Sequence, residues 1–437
     1  MTTEIRLNPS TPPAEDLGLP SSHAAVGVIG LGYAGLPMAV EIAASGRPTV
    51  GFDVAASVVA ALQAGSSHVD TVSDGQVRAV RGTFVATSSP SALRDCSVVV
   101  ICVPTPLDSD GAPDLRPLRG ACGSLSAQLQ PGQLVVVEST VFPGCTAEVV
   151  QPILERSGLC GGLEFSLAFA SERIDPGNRR FDVANTPKVV GGLTPVCGMR
   201  AELFYRNVGV PVYLARGLRE AEASKVLENS YRMVNIALVN EFAQYCVGLG
   251  IDVMDAIGAA ATKPFGFAPF YPSAGAGGHC IPVDPAYLSF AARRAGTPIT
   301  LIEQARRLNL SMPLWFVGQI ESALGARGAS VAGSTVALFG VTYKSGIADL
   351  RNTPAEAIAR DLRSKGAHVA FHDPLVETWA VDGAAVHRYA SAEDGLADAA
   401  LVLVLQAYPE YACLGGARTV LDPFDRLREV GHGKASA

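Results

Sequence analysis

The chain has no C-x-x-C pair, no apolar stretch of bilayer-spanning length and no long run of charge of one sign. Each absence removes a class of protein. Nine cysteines stand at positions 96, 102, 122, 145, 160, 197, 246, 280 and 413 without the rhythm of zinc ligands. Their odd number argues for reduced thiols in a cytoplasm over a disulfide framework. The apolar runs SVVVICV (97–103) and ALVLVLQ (400–406) are too short to cross a membrane and end in turn residues. The 41 acidic and 34 basic residues are interspersed and leave a net charge of -7, which argues against a nucleic-acid footprint or a basic membrane patch. Residues 1–23 are rich in Pro and Ser and lack an apolar signal core, so a disordered leader is expected there, not a targeting sequence.

What is present points to more than one core: 437 residues, 48% of them hydrophobic. From Ala24 to about Gly192 the runs AVGVIG, PTVGFDV, TFVAT, SVVVICV, QLVVVES and FSLAFA alternate with helical stretches, the pattern of a parallel sheet with crossover helices. The segment from Gly217 to Cys246 has no Pro and no internal Gly, with apolar residues at helical spacing, and predicts one long helix. STVALFGV, HVAFHDP, LVLVLQ and TVLDPF then restart the β/α alternation. The expected architecture is α/β, with domains at 24–213 and 331–437 joined by a helical region at 214–330.

GVIGLGYAGLP (27–37) sets Gly30, Gly32 and Gly35 in G-x-G-x-x-G spacing, after a strand and at the opening of a helix. Gly30 permits the tight turn, Gly32 lets backbone approach a pyrophosphate, and Gly35 lets helix pack on strand. The helix N-terminus adds free N–H groups. Asp53, ending TVGFDV, is placed to accept from ribose hydroxyls and to repel a 2′-phosphate, which favours NAD over NADP. A strand-to-helix turn with a surface Asp would also use the triplet; strand, helix, second strand and acid in order favour the cofactor. Pro104, Thr105 and Pro106 stiffen the next strand end, and Ser139 and Thr140 do the same after VVVE. Ordinary turn chemistry accounts equally well for either loop taken alone.

GAGGHCIPVDP (275–285) poses a sharper question. Oxidising an aldehyde by hydride transfer needs an sp³ carbon bearing both hydrogen and an oxyanion, which a thiolate adding to the aldehyde makes. Cys280, in a Gly-rich loop beside His279 and Asp284, is a candidate thiolate. A buried structural cysteine or a plain turn stays open. A metal site is disfavoured, because adjacent residues on an extended chain point opposite ways and no second His/Cys cluster lies nearby. Lys225 and Asn229 are four apart on the long helix, hence on one face, and could stabilise an oxyanion, although a lone Lys there is more often solvated surface. Glu172, in SERIDPG (171–177) at the edge of strand FSLAFA, could activate water to hydrolyse a thioester; a salt-bridged surface Glu has the same signature.

Taken in order, GLGYAGLP, VPTP, EST, SERIDPG, EASKVLENSYRMVNIALVNE, GGHCIPVDP and FGVTYKSGIADLRNTP resemble the UDP-glucose/GDP-mannose dehydrogenase family, over nearly everything from Val26 to about Asp425. The resemblance implies an N-terminal NAD-binding Rossmann-like domain, a central helical region forming a homodimer interface, and a C-terminal Rossmann-like domain binding a UDP-sugar. It also implies two successive NAD-dependent oxidations, from the sugar C6 alcohol through an aldehyde to the acid. Carried over by position, Cys280 is the nucleophile, Lys225 and Asn229 the oxyanion pair, and Asp284 the acid ordering Lys and water. Glu172 and Thr140 become the hydrolytic base and its water-holding partner. Cofactor contacts are implied at Gly30, Gly32, Tyr33, Gly35, Asp53, Pro104, Thr105, Ser139 and Thr140, with Arg351 reaching back to NAD. Substrate contacts are implied at Glu172, Arg173, Lys225, Asn229, Lys263, Gly277, Gly278, Tyr343 and Lys344.

The segment KPFGFAPFYPSAGAGGHCIPVDP is similar to the branch acting on UDP-N-acetylhexosamines. That likeness ranks UDP-N-acetylglucosamine first, UDP-N-acetylmannosamine second, and both ahead of UDP-glucose. Two departures carry expectations. Ser171 stands where family members commonly carry Pro, which predicts a looser strand end behind Glu172. An arginine that some members send into the neighbouring subunit's site has only Lys263 as a counterpart, and Lys lacks the bidentate fork.

Overall fold

The computed structural model describes residues 24–173, 175, 180–181 and 185–427. The expected leader and Ile174, Pro176 and Gly177 of SERIDPG lie outside the described residues. The chain divides into two compact units, one running to Glu228 and including Ala286–Thr297, the other formed by Asn229–Pro285 and the chain from Pro298 onward.

The first unit is built on an eight-stranded sheet. Its strands are β1 (Val26–Ile29), β2 (Thr49–Phe52), β3 (Phe84–Thr87), β4 (Val98–Ile101), β5 (Leu134–Val137), β6 (Ser166–Ala170), β7 (Lys188–Gly192) and β8 (Val212–Leu214). They lie in the order β3-β2-β1-β4-β5-β6-β7-β8. All neighbours are parallel except β6 and β7. β1, β4 and β5 are Val-rich and buried along their whole length, as central parallel strands covered on both faces must be. Between them run α1 (Gly35–Ala44), α2 (Ala56–Ala64), α3 (Asp74–Ala79), α4 (Arg116–Ser126), α5 (Gln151–Leu154) and α6 (Pro195–Asn207). Val28, Leu36, Val100 and Phe204 belong to the apolar cluster that seals the sheet.

α7 (Leu218–Leu249) is 32 residues long, about 48 Å of helix. It runs through Gly248 and past Cys246, where the sequence pattern ended, and stops at Gly250, whose φ of 69° is left-handed. Ile251 N donates to Cys246 O at 2.9 Å, the closing bond of a Schellman turn.

The second unit continues with α8 (Val253–Ala261), and after α9 (Asp284–Arg294) with α10 (Thr300–Gly325). Val239, Ala243 and Cys246 of α7 share a core cluster with Met312 and Phe316 of α10. Then follow β9 (Thr335–Phe339), α11 (Pro354–Ser364), β10 (His368–His372), β11 (Ala380–Val381), β12 (Ala384–Ala385), β13 (His387–Arg388), α12 (Ala392–Asp398), β14 (Leu401–Val404) and β15 (Val420–Leu421). The order β13-β10-β9-β14-β15, all parallel, repeats the way the first sheet starts: its opening strand lies between its neighbours in β2/β4 and β10/β14 fashion. Two open sheets, the first parallel but for β6 and β7 and the second wholly parallel, and one long helix bear out the expected fold class.

Candidate active site

In the first sheet the strand order reverses between β1 and β4, which places a crevice at their carboxyl ends. Gly30 has φ 88°, and a Cβ there would stand 2.9 Å from Cys102 O on β4's exit. A Cβ on Gly35 would run into the Gly30 carbonyl. Nothing lies within 4 Å of the Cβ position of Gly32, so that face is open to a ligand. α1 has no side-chain cap and no acid in its first turn, which leaves its N-terminal N–H groups for an anion. Asp53 accepts from Leu31 N at 2.9 Å through Oδ2 and from Ala55 N at 2.9 Å through Oδ1, holding a partly exposed carboxylate beside the loop. Tyr33 is exposed next to it. These features fit a dinucleotide: an open glycine face, an uncapped helix start and a fixed carboxylate.

The β4 and β5 exits are tied to each other. Thr105 Oγ1 donates to Thr140 O at 2.8 Å, and Ser139 Oγ to Val103 O at 2.7 Å. Buried Tyr287 of α9 donates its hydroxyl to Thr105 O at 2.9 Å, a clamp no sequence motif marked.

The second unit repeats the β1/β2 arrangement. Gly30 N donates to Phe52 O at 2.8 Å and Gly340 N to His372 O at 2.9 Å. Leu31 N and Ala55 N converge on Asp53; Val341 N and Leu375 N converge on Asp373 at 2.8 and 2.9 Å. Gly340 has φ 74°. The difference is burial. Asp373 has no exposed surface, and burial pushes its carboxyl up, so it serves as a clamp for the turn that presents Tyr343 and Lys344.

At the end of β6, Ser171 is fully buried, its N–H donates to Val189 O at 2.9 Å, and its hydroxyl oxygen accepts from Val189 N at 3.0 Å. The looser strand end expected from the missing Pro is not found, because the serine hydroxyl supplies a bond that Pro cannot. Glu172 follows, half-buried, and its carbonyl accepts from the amine of Lys225, which is 5% exposed. The solvated-surface alternative for Lys225 is thereby removed. Arg173 pairs with Glu228 at 2.9 Å and donates to Pro187 O at 2.6 Å. Beneath lie Glu138, Lys188, Tyr205 and Cys102, a buried polar group absent from the sequence reading.

In the second unit, Asn229 Nδ2 donates to Asp284 Oδ2 at 2.6 Å, and both side chains are buried. Val283 N and Asp284 N both donate to Cys280 O, at 3.2 and 2.8 Å, so the Cys280 carbonyl closes the turn that leads into Asp284. The loop before it is docked on the following domain: Gly278 N donates to Arg351 O at 2.9 Å, and Asn352 Nδ2 to Gly278 O at 2.9 Å. A Cβ on Gly277 would stand 2.5 Å from Tyr343 Cβ, and one on Gly278 2.8 Å from the Tyr343 ring. The glycines therefore have a packing reason in addition to any room they leave for substrate. Gly275 meets α10 where Pro313 cannot donate to Asn309 O; a Cβ there would lie 2.7 Å from that carbonyl.

Cys96, Cys102, Cys122, Cys145, Cys197 and Cys246 are buried, and burial pushes Cys96 and Cys122 up to about 12, which keeps them protonated. Cys280 is half-buried. Arg351 makes a bidentate pair with Asp349, its Nη2 at 2.6 Å. Lys263 is exposed and lies over the Phe265 ring at 5.0 Å. Among the described residues no group of three or more His, Cys, Asp or Glu side chains is placed to hold a metal, and no helix is long and apolar enough to cross a membrane.

Comparison with known proteins agrees along the chain. Residues 24–209, 219–311 and 337–423 match the NAD binding, central and UDP binding domains of the UDP-glucose/GDP-mannose dehydrogenase family. A UDP-N-acetyl-D-glucosamine 6-dehydrogenase of Pseudomonas aeruginosa is 38% identical over 366 residues, 83% of this chain and 85% of that protein. A UDP-N-acetyl-D-mannosamine dehydrogenase of Pyrococcus horikoshii is 34% identical over 354 residues, 80% of this chain and 84% of that protein. The solved structure of a UDP-D-ManNAc dehydrogenase from Pyrococcus horikoshii superposes with a TM-score of 0.83 at 32% identity, covering 91% of this chain and 93% of that one.

Proposed function

The chain belongs to the UDP-glucose/GDP-mannose dehydrogenase family of NAD-dependent oxidoreductases, and from that premise we propose that it oxidises the C6 alcohol of UDP-N-acetylglucosamine to the acid in two steps. Bound NAD supplies the hydride acceptor for each step. The open face of Gly32 and the uncapped start of α1 would hold its pyrophosphate, and Asp53 its ribose. Pro104, Thr105 and Ser139 line the crevice, with Arg351 as a further cofactor contact.

After the first oxidation the Cys280 sulfur adds to the C6 aldehyde, and the new oxyanion takes hydrogen bonds from Lys225 and Asn229. The second oxidation leaves a thioester. Water held by Thr140 gives a proton to Glu172 and attacks the acyl carbon; the C–S bond breaks, and the thiolate recovers its proton. Asp284 orders Asn229, to which it is bonded. Arg173, Lys263, Gly277, Gly278, Tyr343 and Lys344 contact the UDP-sugar. The observation that carries the nucleophile is the setting of Cys280: half-buried, in a loop pinned at both backbone groups of Gly278. Cys280→Ser should yield little acid, leaving a trapped or released intermediate; acid formation at the wild-type rate would sink the assignment.

The sugar assignment is supported by the Pseudomonas aeruginosa relative at 38% identity. UDP-N-acetylmannosamine is the second reading, favoured by the Pyrococcus horikoshii structure. Turnover of both with UDP-glucose, with product mass measured, decides among them; a twofold NADH yield per sugar is expected, against one for a simple alcohol dehydrogenase. Domain limits of 24–213, 214–330 and 331–437 accommodate the matched segments. Leu227, Tyr231, Leu238, Phe242, Tyr245 and Leu249 form an exposed apolar stripe along one face of α7, which supports a homodimer through the central region. Eight cysteines among the described residues form no disulfide, which supports a cytoplasmic location.

A further inference from the structure

Below the loops of Thr140 and Glu172 lies a sealed ion pair that the proposed chemistry does not use. Glu138 follows β5 and Lys188 opens β7; their side chains are 1% and 5% exposed, with Lys188 Nζ 3.1 Å from Glu138 Oε2. Glu138 Oε1 accepts from the hydroxyl of Tyr205 on α6, and Cys102 Sγ, at the exit of β4, donates to Oε2 at 3.8 Å. Lys188 Nζ also reaches Ser171 O at 3.5 Å and lies over the Tyr205 ring at 5.4 Å.

The group joins the exits of β4, β5 and β6, each just where it gives way to a functional loop, to the first residue of β7. Cys102 precedes Thr105 by three residues, Glu138 precedes Thr140 by two, and Ser171 is followed directly by Glu172. Burial pushes the Cys102 thiol and the Tyr205 hydroxyl up, so both stay protonated and donate to Glu138. Stability alone gives little reason for the pair, since desolvation commonly offsets the attraction of buried charges and an apolar pair of equal volume does as well. What charge adds is direction. The Lys188 amine has acceptors on two sides, Glu138 on the β5 exit and the Ser171 carbonyl on the β6 exit, and so sets their separation.

We infer that Lys188 and Glu138 are positioning residues for hydrolysis: through the ends of β5 and β6 they hold Thr140 and Glu172 at the spacing that captures and activates water. The inference rests on the reading of Glu172 as the base for water. Misplacement of such groups by about 1 Å costs on the order of a hundredfold in rate.

The test compares Lys188→Met, Glu138→Gln and Glu172→Gln in the full chain, with NAD and whichever UDP-sugar of the panel turns over. Acid release, sugar KM and the intact mass of quenched enzyme are measured. Lys188→Met should release acid about ten- to a hundredfold more slowly, keep its sugar KM within about twofold, and accumulate the acyl adduct that Glu172→Gln also accumulates. A merely structural lysine would lower the melting temperature and leave turnover per folded molecule and the adduct level unchanged. If Lys188→Met does not fold, Glu138→Gln carries the test, because it keeps an acceptor for Tyr205 and removes only the charge. Wild-type acid release without adduct in the folded variants, while Glu172→Gln stalls, overturns the inference alone. Unimpaired hydrolysis in Glu172→Gln overturns the reading of Glu172 and the inference with it.

Discussion

Replacing Gly278 with Ala separates the cost of a left-handed backbone from the cost of moving the Cys280 loop. At φ 82° a residue with a Cβ pays roughly 1–2 kcal/mol. The new methyl would stand 2.8 Å from Cε2 and 2.9 Å from Cζ of Tyr343, where ordinary contact begins at 3.4 Å, so ring or loop must yield by about 0.6 Å. Two backbone anchors, to Arg351 O and from Asn352, resist that shift with about 1 kcal/mol each. Gly277 leaves no slack on the neighbouring side, its Cβ position being 2.5 Å from Tyr343 Cβ. At about a hundredfold in rate per ångström, 0.6 Å corresponds to a loss of kcat of roughly tenfold. Gly328→Ala is the control: its φ of 75° carries the same backbone cost, and nothing lies within 4 Å of its Cβ position. Urea denaturation should show Gly328→Ala destabilised by roughly 1–2 kcal/mol and Gly278→Ala by more, because only the latter also meets the Tyr343 ring. Only Gly278→Ala should lose turnover and change the alkylation rate of Cys280, mapped by mass. Wild-type kcat per folded molecule in Gly278→Ala, or an equal loss in Gly328→Ala, would refute the reasoning.

Asp53→Ala strips the acceptor from Leu31 N and Ala55 N and should weaken NAD at least about tenfold, roughly 1.4 kcal/mol, with sugar KM unchanged; NADH fluorescence titration reads it. Asp422 has Oδ1 buried without a hydrogen-bond partner among the described residues, and burial raises its carboxyl above the ordinary 3.8. The folded chain thus holds that proton more tightly than the unfolded one, and the stability this contributes is lost as pH rises through the folded value. Asp422→Asn should gain on the wild type as pH rises above the ordinary Asp value of 3.8, measured as urea midpoints; a constant difference contradicts the sign. Leu238→Glu with Phe242→Glu places two charges on the exposed stripe of α7 and should give monomers in sedimentation; an unchanged sedimentation coefficient excludes that face.

The two halves of the molecule use one device for different ends. A left-handed glycine after the first strand and an aspartate after the second recur as Gly30 with Asp53 and as Gly340 with Asp373. Partly exposed, the first carboxylate is available to a ribose. Sealed from water, the second can only shape the turn before Tyr343 and Lys344. FGV and HDP follow their strands as IGL and FDV follow theirs, so the repeat was open to inspection. Its change of purpose was not, because burial is a property of what packs around a residue.

Features set by near neighbours along the chain were legible from residues alone. The glycine triplet needs only strand, turn and helix in succession; α7 needs only helical spacing without a breaker, and it overran the expected end by three residues because a single Gly248 is a small penalty in a packed helix. The nature of the candidate groups Cys280, Lys225, Asn229, Asp284 and Glu172 followed from residue type and order. Tertiary structure decided which of them touch and what supports them. Asn352 and Gly278, Tyr287 and Thr105, Lys188 and Glu138 are each bonded across at least 50 residues of chain. Ser171, expected to loosen a strand end, is secured by Val189 from the antiparallel neighbour strand. Hydrogen-bond partners and burial depend on distances between segments remote in sequence, and those distances exist only once the two sheets have formed.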